Sequence, residues 1–281
     1  MWLRHLVALG RAGMSEPPRQ VAELGPGLSL GVGLAAMLTG ATRYAALDVA
    51  RDASPSLNLR LLGELEALVA ARAPIPDDQE YPEILPRLKD YAFPGGILNE
   101  DRLGTSLAPD RRARLRQVVA SLDFGRRAAD GMVLEYRVPW TAPSPGLEDS
   151  FDLVVAQAVL EHVTDLPATY EAIARLLRPG GFLSCAIDFR SHGLTQVWNG
   201  HWTYSEPMWR LVAGRRRWRI NRSPLSEHLV LLARAGLRVR ALEPEEGPPG
   251  IGQSEFAQQF RTSNAADAKT CGVFLIAQRA I

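Results

Sequence analysis

Short apolar runs alternate along this chain with stretches in which apolar side chains return every three or four positions, a pattern that predicts strands interleaved with helices. Residues 21–23 begin the pattern as a strand, and the run 28–38 predicts a helix just behind a turn around Gly25-Pro26-Gly27. Residues 44–48 predict a second strand. Ser54-Pro55 supplies a cap and first-turn residue for a helix in which Leu61, Leu62, Leu65, Leu68 and Val69 share helical spacing. Pro109 opens another helix through Ala120, and residues 132–138 form the third predicted strand. The run 153–156 is apolar without alternation, as a strand buried on both faces must be. Asp165-Leu-Pro then starts a helix carrying Tyr170, Ile173, Leu176 and Leu177 on one face, which stops at Arg178-Pro-Gly-Gly181. Strand 182–188, helix 226–234 ended by Gly236, and strands 237–241 and 272–278 complete the series.

Strands alternating with helices argue for an α/β, doubly wound sheet with helices on both faces. Residues 1–20 read as an amphipathic lead-in broken at Pro17-Pro18, and 21–281 as one domain interrupted by an insertion at about 59–124. Within it, 73–107 is proline-rich and aromatic, too long for a plain connection, since most loops run about 4–6 residues. Tyr81, Ile84, Tyr91, Phe93 and Ile97 in that stretch are expected to pack against something.

The chemistry starts at the first turn. Its glycines do not fit G-x-G-x-x-G, because Leu30 holds the third position; they read E-x-G-x-G-x-x-x-G through Glu23, Gly25, Gly27 and Gly31. Glycine admits positive φ and lets backbone N–H groups approach a ligand at a helix N-terminus. Asp48 ends the second strand, where an α/β nucleotide site places a carboxylate for ribose hydroxyls. The turn resembles motif I of the class I S-adenosylmethionine-dependent methyltransferases. F-D-L-V-V, L-E-H-V and L-L-R-P-G-G-F-L, between Phe151 and Leu183, resemble motifs IV and V of the same superfamily.

The resemblance implies a Rossmann-like, seven-stranded sheet in the order 3-2-1-4-5-7-6 with strand 7 antiparallel, and S-adenosylmethionine as cofactor. Gly25, Pro26, Gly27 and Ser29 then form the cradle for the cofactor's carboxylate, with Gly31 behind it. Glu23 attracts its ammonium, Asp48 accepts from its ribose, and Gln157 faces the same cavity. Arg137-Val-Pro-Trp-Thr141 lacks the acid common after strand 3, which leaves Trp140 to stack on adenine. The implied activity is in-line methyl transfer to a small molecule, with 73–107 as a cap over the acceptor pocket or, equally, as cover for a sheet edge or a dimer contact. A cofactor-binding partner without turnover and a nucleic-acid methyltransferase are the alternatives.

An oxygen acceptor needs a proton acceptor, and Asp188, His192 and His201 follow strand 5 on the acceptor side. His162 sits in a motif that recurs whatever the substrate and is read as structural. Arg210, Arg215, Arg216, Arg217, Arg219 and Arg222 surround Trp209 and Trp218 and could hold phosphates, but the net charge of +1 predicts no polyanionic partner. They read as a solvated helix edge. Cys185 and Cys271 lie in apolar runs without C-x-x-C spacing, so reduced thiols, no metal and a cytoplasmic setting are expected, with a homodimer open. No run reaches the roughly 18 apolar residues of a membrane span.

Overall fold

In the computed structural model, which describes residues 1–281 apart from 144, 217, 262 and 263, eight strands share one sheet. They are β1 (Gln20–Leu24), β2 (Arg43–Leu47), β3 (Gly125–Ala129), β4 (Met132–Arg137), β5 (Phe151–Gln157), β6 (Leu177–Asp188), β7 (Leu237–Glu246) and β8 (Thr270–Arg279). Their order is β3-β4-β2-β1-β5-β6-β8-β7, with β8 antiparallel between β6 and β7. Apart from β3 this is the expected arrangement, β4 being its third strand. The expected count of seven is therefore corrected to eight. β3, Gly-Arg-Arg-Ala-Ala, has no buried apolar face and gives no hydrophobic signal, yet it pairs antiparallel with β4. The pairing follows from Asp130-Gly131, both at positive φ, which close a two-residue hairpin.

The helices are α1 (Trp2–Arg11), α2 (Gly31–Leu38), α3 (Pro55–Ala70), α4 (Glu100–Ser106), α5 (Pro109–Ser121), α6 (Leu166–Leu176), α7 (Glu206–Ala213), α8 (Leu225–Arg234) and the short α9 (Gln258–Arg261). Side-chain caps fix several starts: Ser54 accepts from the Leu57 N–H at 3.3 Å, and Asp165 from the Ala168 N–H at 3.0 Å. α2 starts three residues later than its apolar run, because the Leu30 N–H is capped from outside by Asn58 Oδ1 of α3 at 2.9 Å. Residues 28–30 are thereby left as loop above the sheet.

β5 shows why its run is continuously apolar. Leu153 and Val155 join the core under α1, α2, α3 and α5, while Val154 and Ala156 join the core under α6 and α8.

Much of 59–124 covers the sheet, since α3 and α5 pack together and Glu66 of α3 pairs with Arg112 and Arg116 of α5. The irregular stretch between α3 and α4 wraps around Arg4 of α1. That guanidinium, 2% exposed, donates to the carbonyls of Ile84 (2.6 Å), Pro76 (2.7 Å), Asp77 (3.0 Å) and Pro86 (3.1 Å) and faces Asp78 at 3.3 Å. A charge so deeply buried persists only with such partners. Tyr91 lies under Arg4 and donates to Asp78, whereas Tyr81, expected to pack, is largely exposed. No helix among the described residues is long and apolar enough to cross a membrane.

Candidate active site

β1 and β2 end side by side, and the chain leaves β1 through Gly25 and Gly27, at φ +61° and +67°. A Cβ on Gly25 would lie 2.6 Å from Val159, so that glycine permits a close approach to the segment after β5. A Cβ on Gly27 would meet nothing within 4 Å and would stand in an open cleft. The cleft has a volume of about 480 Å³ and is lined by Gly25, Gly27, Asp48, Trp140, His162 and His192 among others. Asp48 Oδ2 accepts the Gly27 N–H at 3.1 Å and Oδ1 the Ala50 N–H at 3.2 Å, which fixes a carboxylate on the cleft wall. Leu28 (74% exposed), Val49 (56%) and Trp218 (46%) also line it, an apolar surface suited to a flat organic ring.

Glu23 is placed differently from the expected ammonium contact. It lies buried behind the turn and accepts the Tyr44 hydroxyl at 2.5 Å. Burial pushes its carboxyl up to about 7; the Tyr44 bond opposes that rise and nearby Asp48 adds to it. The arrangement depends on Gly33, where a Cβ would fall 2.0 Å from Tyr44 Cζ. Gly33 was the residue missed in the sequence. Its cue is the extra glycine two positions beyond Gly31, which itself stands free apart from Ser29 Oγ at 3.4 Å. Pro26, Ser29 and Gly31 flank the turn outside the cleft wall.

Gln157 is also corrected. It is turned to the back of the sheet end, where Oε1 meets His5 Nε2 at 3.1 Å and Nε2 donates to the Leu85 carbonyl at 3.3 Å. His5 Nδ1 in turn lies 2.7 Å from Ser184 Oγ, and burial holds this imidazole down at about 3. N-terminal helix, sheet and proline-rich stretch meet at Gln157, which bonds both His5 and Leu85.

Of the proton-acceptor candidates, Asp188 and His192 come together, Nε2 to Oδ2 at 3.5 Å. The Asp188 contact raises the His192 imidazole above its usual range, against partial burial. Burial pushes Asp188 up, but bonds from His192 and Arg190 outweigh it and keep this carboxyl low. His201 does not reach the cleft. It is 1% exposed, packed on Trp202 and Trp209, and burial with Arg222 nearby lowers it to about 3. His162 lines the cleft, its ring 5.1 Å from that of His192, rather than serving only as structure. Glu161 beside it is buried and pushed up to about 7, chiefly by desolvation.

Much of the arginine cluster is consumed internally. Arg222 is buried, pairs with Glu206 and lies over Trp209 and Phe260; Arg216 closes the C-terminus of α7, and Arg210 pairs with Glu206. Arg217 lies outside the described residues. Cys185 and Cys271 are free and buried.

A second cavity of about 430 Å³ adjoins the first, with His192 common to both and Glu83, Asp188, Arg190 and Trp198 in its wall.

Residues 111–185, from α5 into β6, match the family model described as "Methyltransferase domain". The ubiquinone biosynthesis O-methyltransferase of Cereibacter sphaeroides is 32% identical over 102 residues, 36% of this chain and 40% of that protein. That of Methylocella silvestris is 31% identical over 121 residues, 40% of this chain and 44% of that protein. The chain thus matches less than half the length of these curated relatives. A SAM-dependent methyltransferase of Methanosarcina mazei superposes with a TM-score of 0.50 at 17% identity over 97% of each chain, which shows a shared fold. The sheet order, the glycine turn and these matches together support a class I S-adenosylmethionine-dependent methyltransferase.

Proposed function

We propose that this protein methylates a small molecule at the junction of the two cavities, with S-adenosylmethionine held under the glycine turn. The observation that carries the reading is Gly27: its missing side chain leaves space in the cleft beside a carboxylate, Asp48, already bonded to the turn. The open space beside the turn suits the cofactor, with Asp48 for its ribose hydroxyls and Trp140 for its adenine. Glu23 acts at one remove, by holding Tyr44 and so the base of the turn.

When bound, the cofactor supplies a methyl group on a sulfonium, a good leaving group, so alignment of the acceptor accounts for much of the acceleration. The acceptor enters through the second cavity. Asp188 and His192 are the polar groups at the junction, there to hold the acceptor hydroxyl and its proton. Glu83 comes from the stretch 73–107 and stands in the same wall, which supports that stretch as a cap on the acceptor side. The relatives' name as O-methyltransferases of ubiquinone biosynthesis favours an oxygen acceptor.

Calorimetry with S-adenosylmethionine, its demethylated product and NAD tests the cofactor assignment; tighter binding of NAD, or no binding of the sulfur ligands, overturns it. Labelled cofactor incubated with a metabolite extract tests turnover. Label that never leaves the cofactor in any extract gives the inactive-partner alternative.

A further inference from the structure

Three metal-ligating side chains converge where the cavities meet. Glu161, His162 and His192 each present a ligand atom within 4.8 Å of the others. We infer that they bind one first-row divalent cation. Glu161 and His162 come from the single turn after β5, and His192 from the loop after β6, so the site exists only once these neighbouring parallel strands pair.

Hydrogen bonding leaves the donors available. Glu161 is 3% exposed, its Oε1 accepts the Asp188 N–H at 3.4 Å, and among the described residues its Oε2 has no hydrogen-bond partner. His162 Nδ1 is likewise buried without one. Buried polar atoms in native proteins are almost always paired, and an uncompensated carboxylate is costly. A cation answers both orphaned atoms at once. His192 carries the second feature of a metal ligand: Asp188 stands 3.5 Å from its Nε2, the outer carboxylate that orients a ligating imidazole and leaves the other nitrogen for the ion.

Bonds of about 2.0–2.2 Å to nitrogen and oxygen set ligand atoms roughly 3.4 Å apart. The gap of a little over 1 Å is within reach of His192, which is partly exposed on its loop. Two imidazoles with one carboxylate suit zinc, cobalt, iron or manganese rather than magnesium or calcium, which prefer all-oxygen sets. Three protein ligands leave positions open towards the cavities. Resting on the methyltransferase reading, this selects an acceptor that offers a hydroxyl oxygen: the cation acidifies it, its proton passes to Asp188 or water, and the oxygen keeps the electron pair.

The test uses tag-free, chelator-treated full-length protein. Cobalt(II) is added while visible absorption is followed, zinc is then titrated by calorimetry, and binding of the demethylated cofactor is measured in parallel. One equivalent of cobalt, displaced by zinc, is expected. His192→Asn and His162→Gln should each weaken zinc at least about 100-fold, beyond the 10–100-fold typical of losing an outer-shell partner. Both should keep the melting temperature of the metal-free parent, which shows that the fold survives the substitution. No stoichiometric uptake by the wild type, or uptake unchanged in both variants, overturns the site. Failure of the wild type to bind the demethylated cofactor refutes the methyltransferase reading instead, whatever the metal result.

Discussion

Gly33→Ala isolates the device behind the glycine turn. The added Cβ would lie 2.0 Å from Tyr44 Cζ and 2.2 Å from both Cε atoms, and the ring has no room to stay where it is. Overpacking in a core costs about 1–3 kcal/mol. If Tyr44 moves, Glu23 loses its hydroxyl donor while still buried, which adds about 1–3 kcal/mol. The sum is about 2–6 kcal/mol, and at about 2–4 °C per kcal/mol for a domain of this class the melting temperature falls by about 4–24 °C. Gly31→Ala, two residues earlier in the same helix, is the internal control. It meets only Ser29 Oγ at 3.4 Å and gains about 0.5–1 kcal/mol of helix propensity. Differential scanning fluorimetry of the two variants decides the matter: Gly33→Ala should melt far below the parent and Gly31→Ala at or slightly above it. Equal melting temperatures would refute the claim that Tyr44 is locked against Gly33.

Gly27→Ala should fold, at a cost of about 1–2 kcal/mol for its positive φ, and bind the demethylated cofactor about 100-fold more weakly, about 2.7 kcal/mol by calorimetry. Arg4→Met should destabilise the protein by about 3–5 kcal/mol, because four carbonyls and Asp78 lose a buried partner, and hydrogen exchange should rise first around residues 76–86. Acid should unfold the protein through its buried imidazoles. His5 is lowered to about 3 and His228 to about 4, chiefly by burial, so between those values and about 6.5 the unfolded chain binds more protons. Their contribution is complete above pH 6.5 and falls as the pH drops, by about 2 kcal/mol each at pH 5. Urea midpoints at pH 7.5 and 5 should show the loss, and His5→Gln should reduce it.

The parallel core was legible because its strands, buried on both faces, are written as unbroken apolar runs such as the one through Val154 and Val155. β3 was not, since an edge strand held by a hairpin needs no apolar face; only Asp130-Gly131 marked it. The glycine turn and Asp48 were legible because glycine spacing reflects backbone geometry directly. Glu23 and Gln157 were assigned by their position at strand ends, and position does not fix where a side chain turns. Tyr44 claims the one, and His5 with Leu85 the other, from parts of the chain that local pattern cannot connect. His201 was misplaced for the same reason: its loop folds inward onto Trp202 and Trp209.

The junction at His5 bears on how this molecule folds. Its bond to Ser184 closes 179 residues of chain and its bond to Gln157 closes 152, whereas the Asp48 contact with Gly27 closes only 21. Closure entropy grows slowly with length, but contacts so distant in sequence cannot form until β5 and β6 have found each other. The glycine turn can therefore be assembled early, by short-range steps, whereas the junction of α1, β5 and β6 is the slow, cooperative end of the process. A chain arrested before that step would have a formed glycine turn and an N-terminal helix not yet seated on the sheet.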